Sequence, residues 1–216
     1  EWGGEYQFVG VSSHTGEGID ALLDAILLQS EVLELTAPID ADARGAVVES
    51  SLEKGRGPVA TVLVQRGTLK NGDIFVTGAE WGRVRALVND HGVRIEEAIP
   101  GMPVEVTGLN GVPSAGDDFV VVENEAKARE ISAYPQRRIR QTQAAAMKTS
   151  ALENMFSSSG DVKELPILIK GDVQGSVEAL IGTLQKLGNE EVSVRVLHSG
   201  VGRINESDVT LARASN

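Results

Sequence analysis

Residues 52–73 have the sequence L-E-K-G-R-G-P-V-A-T-V-L-V-Q-R-G-T-L-K-N-G-D, and this stretch decides the fold class. Two glycines flank Arg56 just before Pro58, which is typical of a tight connection between two strands. Residues 59–66 alternate between two faces with the period of a strand. Asn71, Gly72 and Asp73 then supply a tight turn. The stretch predicts strand, turn and strand in a small barrel.

The period of two residues continues on both sides of this stretch, from residue 45 to residue 123. Gly, Pro and Asn separate six strand candidates, at residues 45–53, 59–66, 73–78, 82–89, 103–109 and 118–123. Short strands at such regular spacing, without helical segments between them, favour a closed antiparallel architecture. We therefore expect a compact antiparallel β-barrel.

The segment before the barrel has a different pattern. Apolar residues recur at helical spacing from residue 17 to about residue 34, and Phe8, Val9 and Val11 before them predict a buried strand. Strand, loop and helix together indicate the end of an α/β domain. The chain does not begin with Met and opens in mid-pattern at Glu1, so we expect a piece of a longer protein.

Two helices are predicted after the barrel. Asn124 can cap the first, and Pro135 is expected to break or kink it before a second helix from Gln136 to about residue 156. Ser-Ser-Ser-Gly at 157–160 predicts a flexible joint. Pro135 and this joint are therefore the candidate hinges of the chain.

The last segment alternates strand and helix. Strands are predicted at 165–170 and 192–197, and helices at 176–187 and from Asn205, its cap, to about residue 214. This β-α-β-α order indicates a parallel sheet of an α/β domain, incomplete with two strands. The fold class is therefore multidomain: an antiparallel barrel flanked by the end of one α/β domain and by an incomplete second one.

Charge limits the partners of the chain. With 20 Lys and Arg against 31 Asp and Glu, the formal net charge is -11, which argues against general affinity for nucleic acid. Only residues 123–150 are basic, so an RNA contact should be local. The sequence has no Cys, which excludes disulfides, and no long apolar run. We expect a cytoplasmic protein without membrane contact.

Motifs for catalysis are missing from the sequence. There is no G-x-x-x-x-G-K-[ST] loop for phosphates, no Cys nucleophile and no Ser in a G-x-S-x-G turn. His14, His91 and His198 lie far apart and lack the spacing of metal ligands. We expect no catalytic residue, no metal site and no enzymatic activity within these 216 residues.

Basic residues near the first hairpins are the candidates for RNA contact. Lys54, Arg56, Arg66 and Lys70 are expected at the two ends of these hairpins, where loop-borne cations can bind phosphates. The alternative is that they only solubilise turns. Arg137, Arg138 and Arg140 form a second basic patch, for which the alternative is a solvated helix face. Aromatic residues do not interleave with either patch, so base stacking is not indicated.

Several segments together resemble one family. They are residues 16–35 (G-E-G-I-D-A-L-L-D-A-I-L-L-Q-S-E-V-L-E-L), the barrel stretch quoted above, P-V-E-V-T-G-L-N-G-V-P-S-A-G-D at 103–117, K-G-D-V-Q-G-S-V-E-A-L at 170–180 and H-S-G-V-G-R-I-N-E-S-D-V at 198–209. The resemblance is to bacterial translation initiation factor two and covers essentially the whole chain. Elongation factors Tu and G are similar only in the barrel.

This resemblance implies an identity for each part of the chain. Residues 1–36 would be the C-terminal end of the GTP-binding domain, 37–123 the β-barrel domain II, 124–160 the linker helices and 161–216 the N-terminal part of α/β domain III. The complete factor would use GTP or GDP with Mg²⁺ and act as a ribosome-activated GTPase. No cofactor is expected in the present residues.

The resemblance also implies partners. The factor would promote binding of initiator formylmethionyl-tRNA to the small ribosomal subunit, and joining of the large one. The barrel would contact small-subunit rRNA, the helices would relay movement between domains, and a further C-terminal domain would hold the tRNA. We expect a monomer.

Residues 12–18, S-S-H-T-G-E-G, resemble the last guanine-recognition loop of GTPases. The resemblance implies that the backbone N–H of Ser13, between Ser12 and His14, meets the guanine carbonyl. Ser13 and His14 replace the usual Ala and Lys, which a backbone contact tolerates. The alternative is a plain capped turn before a helix.

Three other functions remain open at this point. The chain could derive from an elongation-factor-type GTPase, or its last segment could be a regulatory module that binds a small molecule, since a strand, a D-x-x-G-S turn and a helix also occur in amino-acid-sensing domains. A purely structural interaction protein is a third possibility. Ribosome binding would separate it from the initiation factor.

Overall fold

The computed structural model describes residues 7–156, 163–188 and 192–215. The chain divides into two compact units, Glu1–Ala37 and Pro38–Asn216. The joint predicted at 157–160 lies outside the described residues.

The first unit contains helix α1, Ile19–Val32, close to the predicted bounds. Gly18 precedes it with a φ of 78°, a left-handed conformation that glycine adopts without strain. The strand predicted at Phe8, Val9 and Val11 was wrong, because residues 7–12 form neither a helix nor a strand.

The second unit is built on the predicted barrel. Its strands are β1 (Arg44–Glu53), β2 (Gly57–Arg66), β3 (Leu69–Lys70), β4 (Ile74–Thr77), β5 (Glu80–Asn89), β6 (Arg94–Ile95), β7 (Glu97–Ala98), β8 (Pro103–Leu109) and β9 (Asp118–Val122). Their order is β4-β9-β1-β2-β8-β5, and β5 pairs back to β4. The pairings between these strands are all antiparallel. Because β5 pairs back to β4, the six strands close into a barrel. The six predicted strands are confirmed, and the short strands β3, β6 and β7 were missed.

Alternate residues of the strands fill the barrel. The rings of Phe75 and Phe119 stack with centroids 4.5 Å apart, and both residues are almost fully buried. Val47 on β1 is the cross-strand partner of Val62 on β2, and both point inward. Val48, the next residue along β1, is 56% exposed. The register of β1 on β2 shifts between Val47 and Glu49, which leaves Val48 without a cross-strand partner on β2 and exposed, so Val47 and not Val48 enters the core.

The predicted turn at Asn71, Gly72 and Asp73 is present. The Asp73 carboxylate accepts a hydrogen bond from the Lys70 N–H at 2.8 Å, and Gly72 has a φ of 93°. The turn joins β3 to β4, but these strands do not pair with each other, since β3 pairs with β7 and β4 with β5 and β9. It is therefore a corner of the barrel and not a hairpin turn.

One long helix follows the barrel. Helix α2 spans Glu125–Phe156, and the Asn124 side chain caps it by accepting from the Lys127 N–H. The predicted break at Pro135 was wrong, because α2 continues through it as one helix. A proline inside a helix removes one hydrogen bond and clashes with the preceding turn, and the next residue, Gln136, is anchored to the barrel. The Gln136 side chain donates to the Ala79 carbonyl at 2.9 Å.

Two further contacts fasten the first turns of α2 to the barrel. Arg83 forms an ion pair with Glu125, and Arg129 lies over the Trp81 ring, 5.1 Å from its centroid. Ala128 and Ser132 are buried on the same part of the helix. Among the side chains that the structure describes, these contacts lie at or before Gln136.

The last part of the second unit, which we call the α/β module, has the predicted β-α-β-α order. It contains β10 (Lys163–Gly171), α3 (Gln174–Lys186), β11 (Val192–Val201) and α4 (Glu206–Ala214), and β10 and β11 pair in parallel. Asn205 caps α4 as predicted, in a capping box with Asp208. Asp208 also forms an ion pair with Lys170 of β10 at 3.2 Å, and this ties α4 to the sheet.

Val47 and Val48, which are neighbours on β1, test the register of β1 on β2. We expect Val47→Ala to lower the free energy of unfolding by about 2 kcal/mol or more, because it removes two buried methyl groups and leaves a cavity. Val48→Ala should change it by less than about 0.5 kcal/mol, because that side chain faces solvent. Urea denaturation followed by circular dichroism measures both. Equal effects would contradict the register.

The interactions of Asp208 predict that acid lowers the stability of the α/β module. The Asn205 N–H and then Lys170 favour the charged carboxylate and lower the pKa of Asp208. The stability that the carboxylate contributes is therefore complete above the ordinary Asp pKa of about 3.9 and is lost as the pH falls through the lower, folded-state pKa.

The stability difference between the natural chain and Asp208→Asn should accordingly shrink as the pH falls from 7 to 3. Urea denaturation at each pH measures this difference. Asp172→Asn, at an exposed carboxylate of the same module, is the matched control. A difference that stays constant with pH for Asp208→Asn would contradict the assigned interaction.

Candidate RNA-contact surface

A groove on the barrel collects three arginines. Its volume is about 620 Å³, and we call it the arginine groove; its charged lining residues are Arg56, Arg85, Arg94 and Glu105. Gly55, Ala86, Val88, Gly92 and Thr107 complete the lining. Three arginines and one glutamate give this surface a charge of +2 on a chain whose formal net charge is -11.

Strand register brings these side chains together. Val88 on β5 is the cross-strand partner of Arg94 on β6 and also of Glu105 on β8. Cross-strand partners lie on the same face of a sheet, so Arg94, Val88 and Glu105 form one row across three strands. Arg85 is exposed on β5 beside this row. The fourth charged residue, Arg56, comes from the turn between β1 and β2.

Two carboxylates hold Arg56. Its guanidinium donates to Glu53 at 2.8 Å and to both oxygens of Glu105. The hydrogen bond to Glu105 is the main reason why the pKa of Arg56 is raised above its ordinary value. Gly55 and Gly57, on either side of Arg56, have φ values of 87° and 78°, a left-handed conformation that glycine adopts without strain in tight turns. Arg56 is thus an ordered cation that forms one wall of the arginine groove.

Arg85 and Arg94 are the available cations of the groove. Both are exposed, and neither forms an ion pair with any carboxylate in the described residues. No aromatic side chain lines the groove. Cations without stacking partners suit the phosphates of a nucleic acid backbone and not its bases.

The four basic residues predicted from the sequence lie in different places. Lys54 and Arg56 are in the turn between β1 and β2, but only Arg56 lines the groove. Arg66 is at the opposite end of β2, where its cross-strand partner is Arg44, and Lys70 on β3 faces Glu97. Strands of ten residues separate the two ends by about 30 Å.

Sequence reasoning missed Arg85 and Arg94. The alternation of Arg83, Val84 and Arg85 does indicate an outward basic face on β5. Nothing local to the sequence indicates Arg94, because its place depends on the pairing of β6 with β5.

The loop predicted to recognise guanine is a tight turn with free backbone donors. The Ser12 side chain accepts from the Thr15 N–H at 3.3 Å, and the Ser12 carbonyl accepts from the Gly16 N–H at 2.9 Å. In the described part of the chain, no acceptor binds the N–H of Ser13 or of His14, and both residues are exposed. These two donors fit an external carbonyl oxygen.

The second basic patch lies on α2. Arg137, Arg138 and Arg140 are exposed, and Arg138 borders a shallow groove of about 420 Å³ with Tyr134 and Pro135. No carboxylate among the described residues forms an ion pair with these arginines.

Among the described residues, no three His, Asp or Glu side chains are placed to hold a metal ion. None of the helices described combines the length and apolar character needed to cross a bilayer.

Two family models match the chain. Elongation factor G domain 2 matches residues 42–122, and translation-initiation factor 2 matches residues 141–216. The first match covers the barrel, and the second covers the end of α2 and the α/β module.

Curated relatives match over the whole chain. Translation initiation factor IF-2 of Rhodospirillum rubrum is 59% identical over 99% of the chain, and that of Paramagnetospirillum magneticum is 58% identical over 100% of it. The chain spans 25% of the length of each of these relatives. A solved structure, GDP-bound aIF5B from Aeropyrum pernix, is similar to this chain at 26% identity and a TM-score of 0.50. The match covers 94% of this chain and 34% of that one.

Proposed function

The chain belongs to the translation initiation factor IF-2 family, and on this premise we propose that it is the central part of a GTPase that promotes initiator tRNA binding and ribosomal subunit joining. The complete factor acts in the cytoplasm as a monomer and takes GTP or GDP with Mg²⁺. An elongation factor is disfavoured, because its domain model matches only the barrel.

The barrel is the proposed anchor on the small ribosomal subunit. The arginine groove carries this proposal, because two exposed arginines without ion-pair partners in the described chain concentrate positive charge on an otherwise acidic protein. Phosphates of the rRNA backbone are the ligand that such a groove fits, and Lys54, Arg66 and Lys70 add contacts at the ends of the barrel strands.

Residues Ser12, Ser13 and His14 are the proposed contact with the guanine base in the complete factor. The free N–H groups of Ser13 and His14 support this role, because a carbonyl oxygen of the base can accept from them. The contact would orient the nucleotide and contribute nothing to bond cleavage. The phosphates of the nucleotide require residues other than these.

Helix α2 and the α/β module are the proposed relay between the ribosome contact and the tRNA end of the factor. The anchoring of α2 by Arg83, Arg129 and Gln136 supports this, because movement of the barrel must carry the start of the helix with it. The initiator tRNA itself would bind a further C-terminal domain.

Binding of the chain to isolated small ribosomal subunits over a salt series tests the anchor. Saturable binding that weakens steeply as salt rises is expected, because each phosphate contact releases counterions. A labelled guanine nucleotide titrated into the same sample should show little binding. Absence of subunit binding at low salt would contradict the anchor. Tight GTP binding would contradict the proposal that the phosphates of the nucleotide require residues other than these.

Loss of either groove arginine should weaken this binding. We expect Arg85→Ala and Arg94→Ala each to reduce the affinity for small subunits by about three- to tenfold and the log–log salt slope by about 1. Arg213→Ala, at an exposed arginine of α4 that does not line the groove, is the matched control. Equal effects of all three substitutions would point to overall charge as the cause.

Removal of the groove carboxylate should act in the opposite direction. Glu105→Gln is expected to raise the affinity for small subunits by about two- to fivefold, because it removes the negative charge beside the phosphate site. The change should cost less than about 1 kcal/mol of stability, since the ion pair with Arg56 is partly exposed. Glu123→Gln, outside the groove, controls for net charge. An unchanged or lower affinity for Glu105→Gln would contradict the groove as the contact.

A further inference from the structure

The α/β module touches the barrel at the end of strand β1. Ser51 forms an isolated antiparallel bridge with Val173, the residue before α3. Beside it, the Leu52 side chain occupies the space next to Gly202: a Cβ on Gly202 would lie 2.9 Å from Leu52 Cδ2. Gly202 has a φ of 107°, so this close approach depends on glycine.

The contact is open and loosely packed. A cavity of about 810 Å³ lies between Leu52 and Lys54 on the barrel side and the carboxyl ends of β10 and β11 on the module side. Leu52 remains 45% exposed despite the contact. An interface with so little burial has a small free energy of docking, so the module can separate from the barrel without unfolding it.

The same piece of chain forms a wall of the arginine groove. We call residues 51–57 the hairpin tip. On one side of the tip, Ser51 and Leu52 meet the module; on the other, Gly55 and Arg56 line the groove. Arg56 is also bound to Glu105 of β8, which fixes the tip against the far side of the groove.

We propose that the hairpin tip couples the two surfaces, so that docking of the α/β module raises the affinity of the arginine groove for an RNA backbone. The coupling rests on the proposed ribosome contact, whose strength it regulates. Because binding free energies are reciprocal, RNA in the groove must favour the docked module by the same factor.

The sign of the coupling follows from the ion pair between Arg56 and Glu105. A docked module holds Ser51 and Leu52, so it keeps the following turn in the conformation in which Arg56 binds Glu105. The Glu105 carboxylate is then neutralised when a phosphate approaches Arg85 and Arg94. One short turn is involved, so the effect on RNA affinity should be about fivefold, the low end of typical couplings.

A disulfide across the contact tests the coupling, because the natural chain has no Cys and the new pair would be its only one. Ser51→Cys together with Val173→Cys places the two thiols on bridge partners. Antiparallel partners have Cα atoms about 4.5–5.5 Å apart, within the roughly 4.4–6.8 Å that a disulfide spans. Affinity for isolated small ribosomal subunits is then measured for the oxidised protein and for the same protein after reduction.

The oxidised form should bind about fivefold more tightly, and reduction should remove the difference. Each single Cys variant, treated identically, should show no dependence on reduction. Equal affinity of the two forms, weaker binding of the oxidised form, or failure of the disulfide to form would each overturn the coupling.

The two proposals fail in different ways. If neither form binds small subunits, the ribosome contact itself is overturned and the coupling with it. If both forms bind equally and Arg85→Ala still weakens the binding, only the coupling is overturned.

Discussion

Closure of the barrel is the constraint on which the rest of the second unit depends. Strand β4 is short, yet it bonds β9 on one side and β5 on the other, so the six strands have no open edge. Phe75 on β4 and Phe119 on β9 stack beneath this junction. Because closure fixes the register of every strand, it also fixes which side chains face outward into the arginine groove and where helix α2 can be fastened.

Much of the fold could be predicted because its signals are local. The alternation of residues 59–66, the glycines around Arg56 and the capping residues Asn124 and Asn205 depend only on neighbours in sequence. Two predictions failed. Residues 8 and 9 belong to no strand, and helix α2 continues through Pro135, where the adjacent Gln136 is held by a carbonyl 57 residues earlier in the chain. That contact is too distant in sequence for a local pattern to indicate.

The candidate site could be predicted only in part for the same reason. Arg56 could be predicted from the sequence, because its turn is a local motif. Its partner Glu105 could not, since it is 49 residues away and reaches Arg56 through the pairing of β2 with β8, whereas Glu53 is only three residues before Arg56. Arg94 enters the groove through one short pairing with β5. A sequence pattern indicates which face of a strand carries a charge. The register between strands decides which of these charges come together in a site.

The position of Pro135 has a mechanical consequence for helix α2. The proline removes one backbone hydrogen bond immediately before Gln136, the last residue with a described contact that fastens the helix to the barrel, so we expect the helix to bend most easily at this point. Twenty residues follow Gln136 to Phe156, a rod of about 30 Å at 1.5 Å per residue, so a bend of about 10° at the proline displaces the far end by about 5 Å. Such a bend at the proline would therefore move the end of the helix by about the length of one helical turn.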